Sequence, residues 1–251
     1  MEKLTHSEIQ EEEFRILTVF DSFCKEYELK YSLYAGTLLG SVRHGGFIPW
    51  DDDIDVCMAR PEYDRLLTLG DMLPGDFRLI TKSNSAFALP FAKIQFMKIR
   101  AQERAYDGLL DESLWIDVFP MDKVPESTDR HAQLRKKVRS LIKRRTWLIC
   151  NFENDSFFKR TVKRAYRLTR NRKRTIARID REIDSLVDYS GYSDAVKVSC
   201  LLSGGGQVWA VSREGFENSV DVAFEGGSFP AMSCWRECLE TMYGDYMALP
   251  P

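Results

Sequence analysis

The 251 residues predict one α/β or α+β domain, and three observations carry that expectation. Segments of helical and of strand period alternate along the chain, no repeat or low-complexity linker divides it, and its 44% hydrophobic and 29% charged residues form an ordinary globular composition. A chain of this size buries a sizeable core. The longest uncharged apolar window, Val198 to Ser212, is interrupted by Gly204, Gly205 and Gly206 and is too short to span a bilayer. Met1 to Glu13 is acidic and lacks the basic and apolar regions of a secretory signal, so the expected location is the cytoplasm. The six cysteines show no C-x-x-C spacing and read as reduced, mostly buried thiols. Only Cys234 and Cys238 sit one helical turn apart, and a zinc site there would need His6, His44 or His131 to complete it.

Ser7 to Lys30 reads as the first helix, with Ile9, Phe14, Leu17, Phe20 and Cys24 near helical spacing. Ser7 is the expected cap, and Glu8, Glu11, Glu12 and Glu13 suit the positive end of the helix dipole. Tyr31 to Ala35 follows as a short strand, and Gly36-Thr37 turns into a helix beginning at Leu38. A glycine and a hydroxyl at a helix start offer backbone N–H donors to a phosphate, although such turns also carry glycine for steric reasons alone. Next comes an acidic run. Asp51, Asp53 and Asp55 alternate with Asp52, Ile54 and Val56, which in a strand puts the first three on one face. Two unit charges about 4 Å apart repel by roughly 4 kcal/mol at an effective dielectric near 20, so three such carboxylates call for a cation. A hard, oxygen-preferring ion such as Mg²⁺ or Mn²⁺ is the natural partner. A solvated acidic turn conflicts with the flanking Phe47, Ile48, Trp50, Ile54 and Val56, and a calcium loop conflicts with Val56, which stands where that loop needs glycine. Arg43 and His44, between the glycine turn and the carboxylates, are expected to face phosphate, with a plain surface role as the alternative.

Pro61 to Leu73 forms a helix with Tyr63, Leu66, Leu67 and Leu69 on its apolar side, closed by Pro74-Gly75. Phe77 to Thr81 and Phe91 to Arg100 alternate like strands, and Lys93 on the second is within reach of a phosphate or else solvated. Asp117 is the single acidic residue inside the apolar run Leu114 to Phe119. A buried carboxylate needs a cation or donors, whereas Asp122 reads as a turn or capping residue. From Arg130 to Arg178 there are 18 Lys and Arg against Glu153 and Asp155, a local charge of +16 that leaves −18 on the rest. This stretch is helical in pattern. It reads either as a helical pair with solvated basic faces or as a surface for anionic lipid, with Trp147, Phe157 and Phe158 as anchors. No recognised nucleic-acid module accompanies the charge, so nucleic acid is not an expected partner. Ile176 to Val187 is a further helix, Val196 to Val211 and Val220 to Phe224 contain strands, and Ser233 to Tyr243 is a last helix closed by Gly244.

A glycine turn at a helix start, an Asp-x-Asp pair after it and a third Asp on a later strand combine a phosphate cradle with a metal-binding carboxylate cluster. Phosphoryl or nucleotidyl transfer uses that combination, with Asp53, Asp55 and Asp117 around the metal. No Walker lysine or protein-kinase signature is present. The segments Gly36-Thr-Leu-Leu-Gly40, Arg43-His44, Gly46-Phe-Ile-Pro-Trp-Asp-Asp-Asp-Ile-Asp55, Ile116-Asp-Val-Phe-Pro-Met-Asp122, Tyr243-Gly-Asp-Tyr-Met247 and Leu249-Pro-Pro251 closely resemble the LicD family. They span nearly the whole chain in the family's order. The resemblance implies an α+β fold with a nucleotidyltransferase-like mixed sheet flanked by helices, forming one transferase domain over 1–251 with 130–178 as a basic helical insertion. It further implies transfer of phosphocholine from CDP-choline, or a related group such as ribitol phosphate from CDP-ribitol, to a hydroxyl of a cell-surface glycan such as teichoic acid or lipopolysaccharide. By motif, Asp53 and Asp55 become metal ligands, Asp117 the third ligand or a general base, Asp51 a neighbouring ligand or base, and Gly36-Thr37 the phosphate-contacting turn. Arg130 to Arg178 matches no motif of the family, and acceptor choice and docking at the inner face of the membrane, where lipid-linked glycans are assembled, are expected there. Two other functions compete: a nucleotidyltransferase that releases pyrophosphate, and a glycan- or metal-binding module without turnover.

Overall fold

The computed structural model describes residues 3–101, 106, 113–152, 155–203 and 208–249. It opens with helix α1 (His6–Glu26), whose cap is Thr5 rather than Ser7: the Thr5 side chain accepts from the Glu8 N–H while Glu8 reaches back to the Thr5 backbone. That reciprocal pair satisfies two orphan donors at once. Strand β1 (Ser32–Leu33), helix α2 (Ala35–His44), strand β2 (Asp55–Ala59) and helix α3 (Arg60–Leu69) follow, then β3 (Phe77–Ile80), β4 (Ala92–Arg100) and the long β5 (Ser113–Val124). These strands lie in the order β1-β2-β5-β4-β3, with β2 and β5 parallel and the other pairs antiparallel, so the sheet is mixed. Two short strands, β6 (Lys197–Ser199) and β7 (Val211–Ser212), extend it from the end of β5.

Side-chain alternation divides the sheet into two faces. Val56, Met58, Ile94, Phe96, Leu114, Ile116 and Val118 pack with Ile16, Leu17 and Phe20 of α1 in one apolar cluster. On the opposite face Cys57, Phe119 and Met121 join Tyr34, Trp209 and Val211. A third cluster lies under α4 (Thr128–Thr146) and α6 (Arg172–Leu186), built from Val138, Leu141, Ile176, Ile179 and Ile183. In sequence, α5 (Phe157–Leu168) lies between these two helices. A short helix α7 (Arg213–Glu217), the hairpin of β8 (Ser219–Phe224) and β9 (Gly227–Met232), and α8 (Trp235–Tyr243) complete the chain. All six cysteines are free, four of them buried.

Four further expectations change. Strand β2 begins only at Asp55, so Asp51 and Asp53 belong to the connection from α2 and not to a strand face. Ile48, Ile54 and Val56 are buried as expected, but Trp50 is 58% exposed. Leu67 also faces solvent, leaving Tyr63 and Leu66 as the buried side of α3. Asp122 is neither a turn nor a cap: it lies inside β5, fully buried, held by Arg60. Gly204, Gly205 and Gly206 lie outside the described residues.

Candidate active site

The parallel register of β2 and β5 sets Asp55 opposite Asp117, and the antiparallel register of β4 and β5 sets Lys93 opposite Asp117. Three charged residues therefore form one row across three neighbouring strands, on the face away from α1. Adjacent strands lie about 4.8 Å apart, which keeps the three side chains within reach of one another. Lys93 Nζ stands 3.1 Å from Asp117 Oδ1 and 3.9 Å from the centre of the Trp115 ring. Both Lys93 and its strand neighbour Gln95 are buried. A cavity of about 570 Å³ opens beside them, bounded also by Arg78, Asn84 and Phe91.

Helix α2 fixes the near end of this row. The Asp55 N–H donates to Thr37 Oγ1 at 2.8 Å, and the Tyr34 N–H donates to the Asp55 carbonyl at 3.0 Å. Gly36 and Thr37 sit in the first turn of α2, one position after Ala35, which is held at φ +46°. Left-handed backbone at a non-glycine residue costs on the order of 1 kcal/mol and is concentrated at functional turns. A side chain at position 36 would stand 2.6 Å from Asp51 Oδ2, so the glycine is what lets Asp51 lie against the turn. The N-terminus of α2 receives no side-chain cap, leaving first-turn N–H groups for an external acceptor.

The electrostatics are one-sided. Burial, then Asp53 and Asp52, pushes the Asp51 carboxyl up to about 7. Burial, followed by Asp117, Asp53 and Asp51, holds Asp55 well above the usual carboxylate range, with Lys93 opposing. Two participants were not singled out from the sequence. Glu13 lies on the buried stripe of α1, its Oε2 without a hydrogen-bond partner, and burial, then Asp53, Asp52, Asp117 and Asp55, pushes it up to about 10. Its signal was present: position 13 falls one turn before Ile16 and Leu17, so a charged residue occupies the apolar face. Tyr243, at the end of α8, is raised by burial and then by Asp55 and Asp51, which puts the last motif within the field of the cluster.

Arg43 and His44 lie at the other end of α2, about 10 Å along the axis from Gly36. Arg43 donates to the carbonyls of Tyr246 and Ala248, and His44 is exposed. The structure does not bring these two into the row. Among the described residues, no three Asp, Glu, His or Cys side chains enclose a metal position as they stand. The donor chemistry nevertheless fits a hard divalent ion: Asp53, Asp55 and Asp117 offer only carboxylate oxygens, in a cluster with more negative charge than Lys93 cancels.

Residues 28–149, which carry α2, the acidic connection and the whole charged row, match the family described as LicD/FKTN/FKRP, nucleotidyltransferase domain. The full chain is 31% identical to the lipopolysaccharide cholinephosphotransferase LicD of Haemophilus influenzae, over all of its own length and 94% of that protein's. The chain belongs to the LicD family. A shorter match, 61% identical over 28 residues or 11% of the chain, links it to the uncharacterized protein RP689 of Rickettsia prowazekii. The Haemophilus match runs over the acidic row and the basic helices alike.

Proposed function

We propose that this LicD-family chain transfers phosphocholine, or a related alditol phosphate, from a CDP-linked donor to a hydroxyl of a cell-surface glycan, with Mg²⁺ or Mn²⁺ as cofactor. The observation that carries the reading is the Asp55–Asp117–Lys93 row beside the uncapped start of α2. The Haemophilus relative, by its name a lipopolysaccharide cholinephosphotransferase, supports choline as the first headgroup to try. In this reading residues 1–251 form one nucleotidyltransferase-like transferase domain, with 130–178 as its basic helical insertion.

The first-turn N–H groups of Gly36 and Thr37 hold phosphate oxygens of the donor, and Lys93 supplies a fixed positive charge at the same level of the sheet. Asp53, Asp55 and Asp117 would hold the divalent ion, which lends positive charge to the phosphate oxygens as the leaving group departs. The acceptor hydroxyl oxygen bonds to the phosphorus that carries the headgroup. The bond from that phosphorus to the bridging oxygen breaks, and its electron pair leaves with CMP. Asp51 takes the hydroxyl proton; a carboxyl near pH 7 is well matched to that task. Trp115 beneath Lys93 and the cavity beside Gln95 give the headgroup or acceptor an aromatic and polar wall.

The test is CMP release from CDP-choline, CDP-ribitol and CDP-glycerol with Mg²⁺ or Mn²⁺ and a glycan acceptor, beside an Asp53→Ala control. CMP from one donor, absent in the control, is the expected result and names the headgroup. Release of pyrophosphate from a nucleoside triphosphate instead would establish the nucleotidyltransferase reading, which the family's own description favours as the second choice. Folded protein that turns over neither class of donor would leave a binding module.

A further inference from the structure

Helix α5 is built inside out. At 100° per residue, Phe157, Leu168, Thr161, Ala165, Phe158 and Val162 fall within an arc of about 140°. A surface helix normally turns such a stripe toward the core, but no residue of α5 is buried, and Phe157, Phe158 and Leu168 are 84%, 77% and 85% exposed. The cations on the other side are the ones that face the protein. Lys163 Nζ lies 2.7 Å from Asp155 Oδ2, Arg160 Nη2 donates to the Asp155 carbonyl at 3.1 Å, and the Arg167 guanidinium stacks 4.2 Å over the Phe152 ring while donating to the Cys150 carbonyl. The helix is thus fastened through its charged side. Its apolar stripe points outward, edged by the exposed Lys159 and Arg164.

Directly beyond its C-terminal end lies a depression of about 560 Å³ lined by Arg170, Arg174, Arg178 and Arg181, with Asn171 and no carboxylate. All four arginines are exposed. We propose that α5 and this arginine-lined depression form a docking surface for an anionic lipid bilayer. The apolar stripe seats at the boundary of headgroups and acyl chains, and the arginines with Lys159 and Arg164 meet lipid phosphates. A helix of 12 residues is about 18 Å long and lies in the interface plane without crossing it, and among the described residues no helix is long and apolar enough to cross. Charge decides against a second copy as the occupant, because a two-fold contact would bring the same arginine group against itself. Trp147, expected as an anchor, packs edge-on against Tyr166 at 5.7 Å and is not part of the stripe. The surface is independent of the reaction proposed above.

The experiment is co-sedimentation of the full chain with vesicles of phosphatidylglycerol in phosphatidylcholine, beside pure phosphatidylcholine, at low and high salt. Binding to the anionic vesicles at low salt, weakened by salt and absent on the neutral vesicles, is expected. Arg174→Gln, Arg178→Gln and Arg181→Gln each lower the partition coefficient roughly fivefold. Phe158→Ser lowers it roughly tenfold or more, and its unchanged thermal transition shows that the loss is one of binding. Absence of sedimentation with anionic vesicles, equal binding to neutral ones, or indifference to both sets of variants would overturn the proposal. So would a dimer that Phe158→Ser dissolves, or capture by an acidic polypeptide without vesicle binding.

Discussion

Strand β5 carries two inward carboxylates five residues apart, and the fold treats them in opposite ways. Asp122 is fully buried and gripped at both oxygens, by Arg60 Nε at 2.6 Å and Nη2 at 3.0 Å, while the same guanidinium lies over the Tyr63 and Tyr189 rings. Its charge is cancelled within the molecule. Asp117 instead shares one lysine with Asp55, in the field of Asp51, Asp53 and Glu13. There, among the described residues, the carboxylates outnumber the one lysine in their row. Where the counter-charge is built in, a carboxylate serves the fold; where it is left over, the carboxylate serves something that arrives from outside.

The largest effect that divides the two is on turnover. Asp117→Asn and Asp55→Asn are each expected to lower CMP release by about a thousandfold or more with the fold intact, as measured beside circular dichroism. Full activity in either variant would remove the row from the chemistry. Next in size is the stability of the other pair: Asp122→Ala leaves the buried Arg60 with the half-exposed Asp64, 3.3 Å from its Nη1, as its remaining carboxylate partner and is expected to cost about 3 kcal/mol in denaturant unfolding. Activity per folded molecule should be retained.

A third contrast is pH. Asp51 rises from 3.8 to about 7 and Glu13 from 4.5 to about 10 on folding, both driven first by burial. The folded state therefore holds protons that the unfolded chain has released. The stability this gives is complete below about pH 4 and is lost as pH rises, through 7 for Asp51 and through 10 for Glu13. In chelator, the melting temperature should fall across that range, and millimolar Mg²⁺ should flatten the fall. A profile that is level in chelator, or unmoved by the ion, would count against an uncompensated cluster. Glu13→Gln should flatten the same curve from about pH 4.5 up to about 10, because the amide cannot ionise. Asp122→Asn, outside the cluster, should leave the Mg²⁺ response unchanged.

Much of the sheet was legible because β5 and β4 are apolar runs of strand length, buried along most of their residues, and α1 and α8 show helical period. Asp55, Asp117 and Lys93 were legible as candidates, but their shared row was not, since register depends on pairing partners far apart in sequence. The acidic run shows the reverse error. Asp51 and Asp53 alternate as a strand would, yet the chain there follows Gly36 and α2, and only Asp55 enters the sheet. Strand β9 was missed because Pro230 interrupts its pattern, which a two-stranded hairpin tolerates. For α5 the period disclosed an amphipathic helix and no more. Which side faces the protein was set by Asp155 and Phe152, whose appetite for Lys163 and Arg167 no local rule contains.

The row has a consequence for how such a site can change over time. Its three members sit on three backbones hydrogen-bonded into one sheet, so their spacing is a property of the scaffold and not of any loop. Loops over the cavity and along the basic helices are free to be rewritten for new headgroups or acceptors while the charged ruler beneath them keeps its marks. A single inserted residue ahead of Asp117 would do the opposite: it would turn that carboxylate toward α1 and its hydrocarbon, and erase the ruler while sparing almost every residue around it.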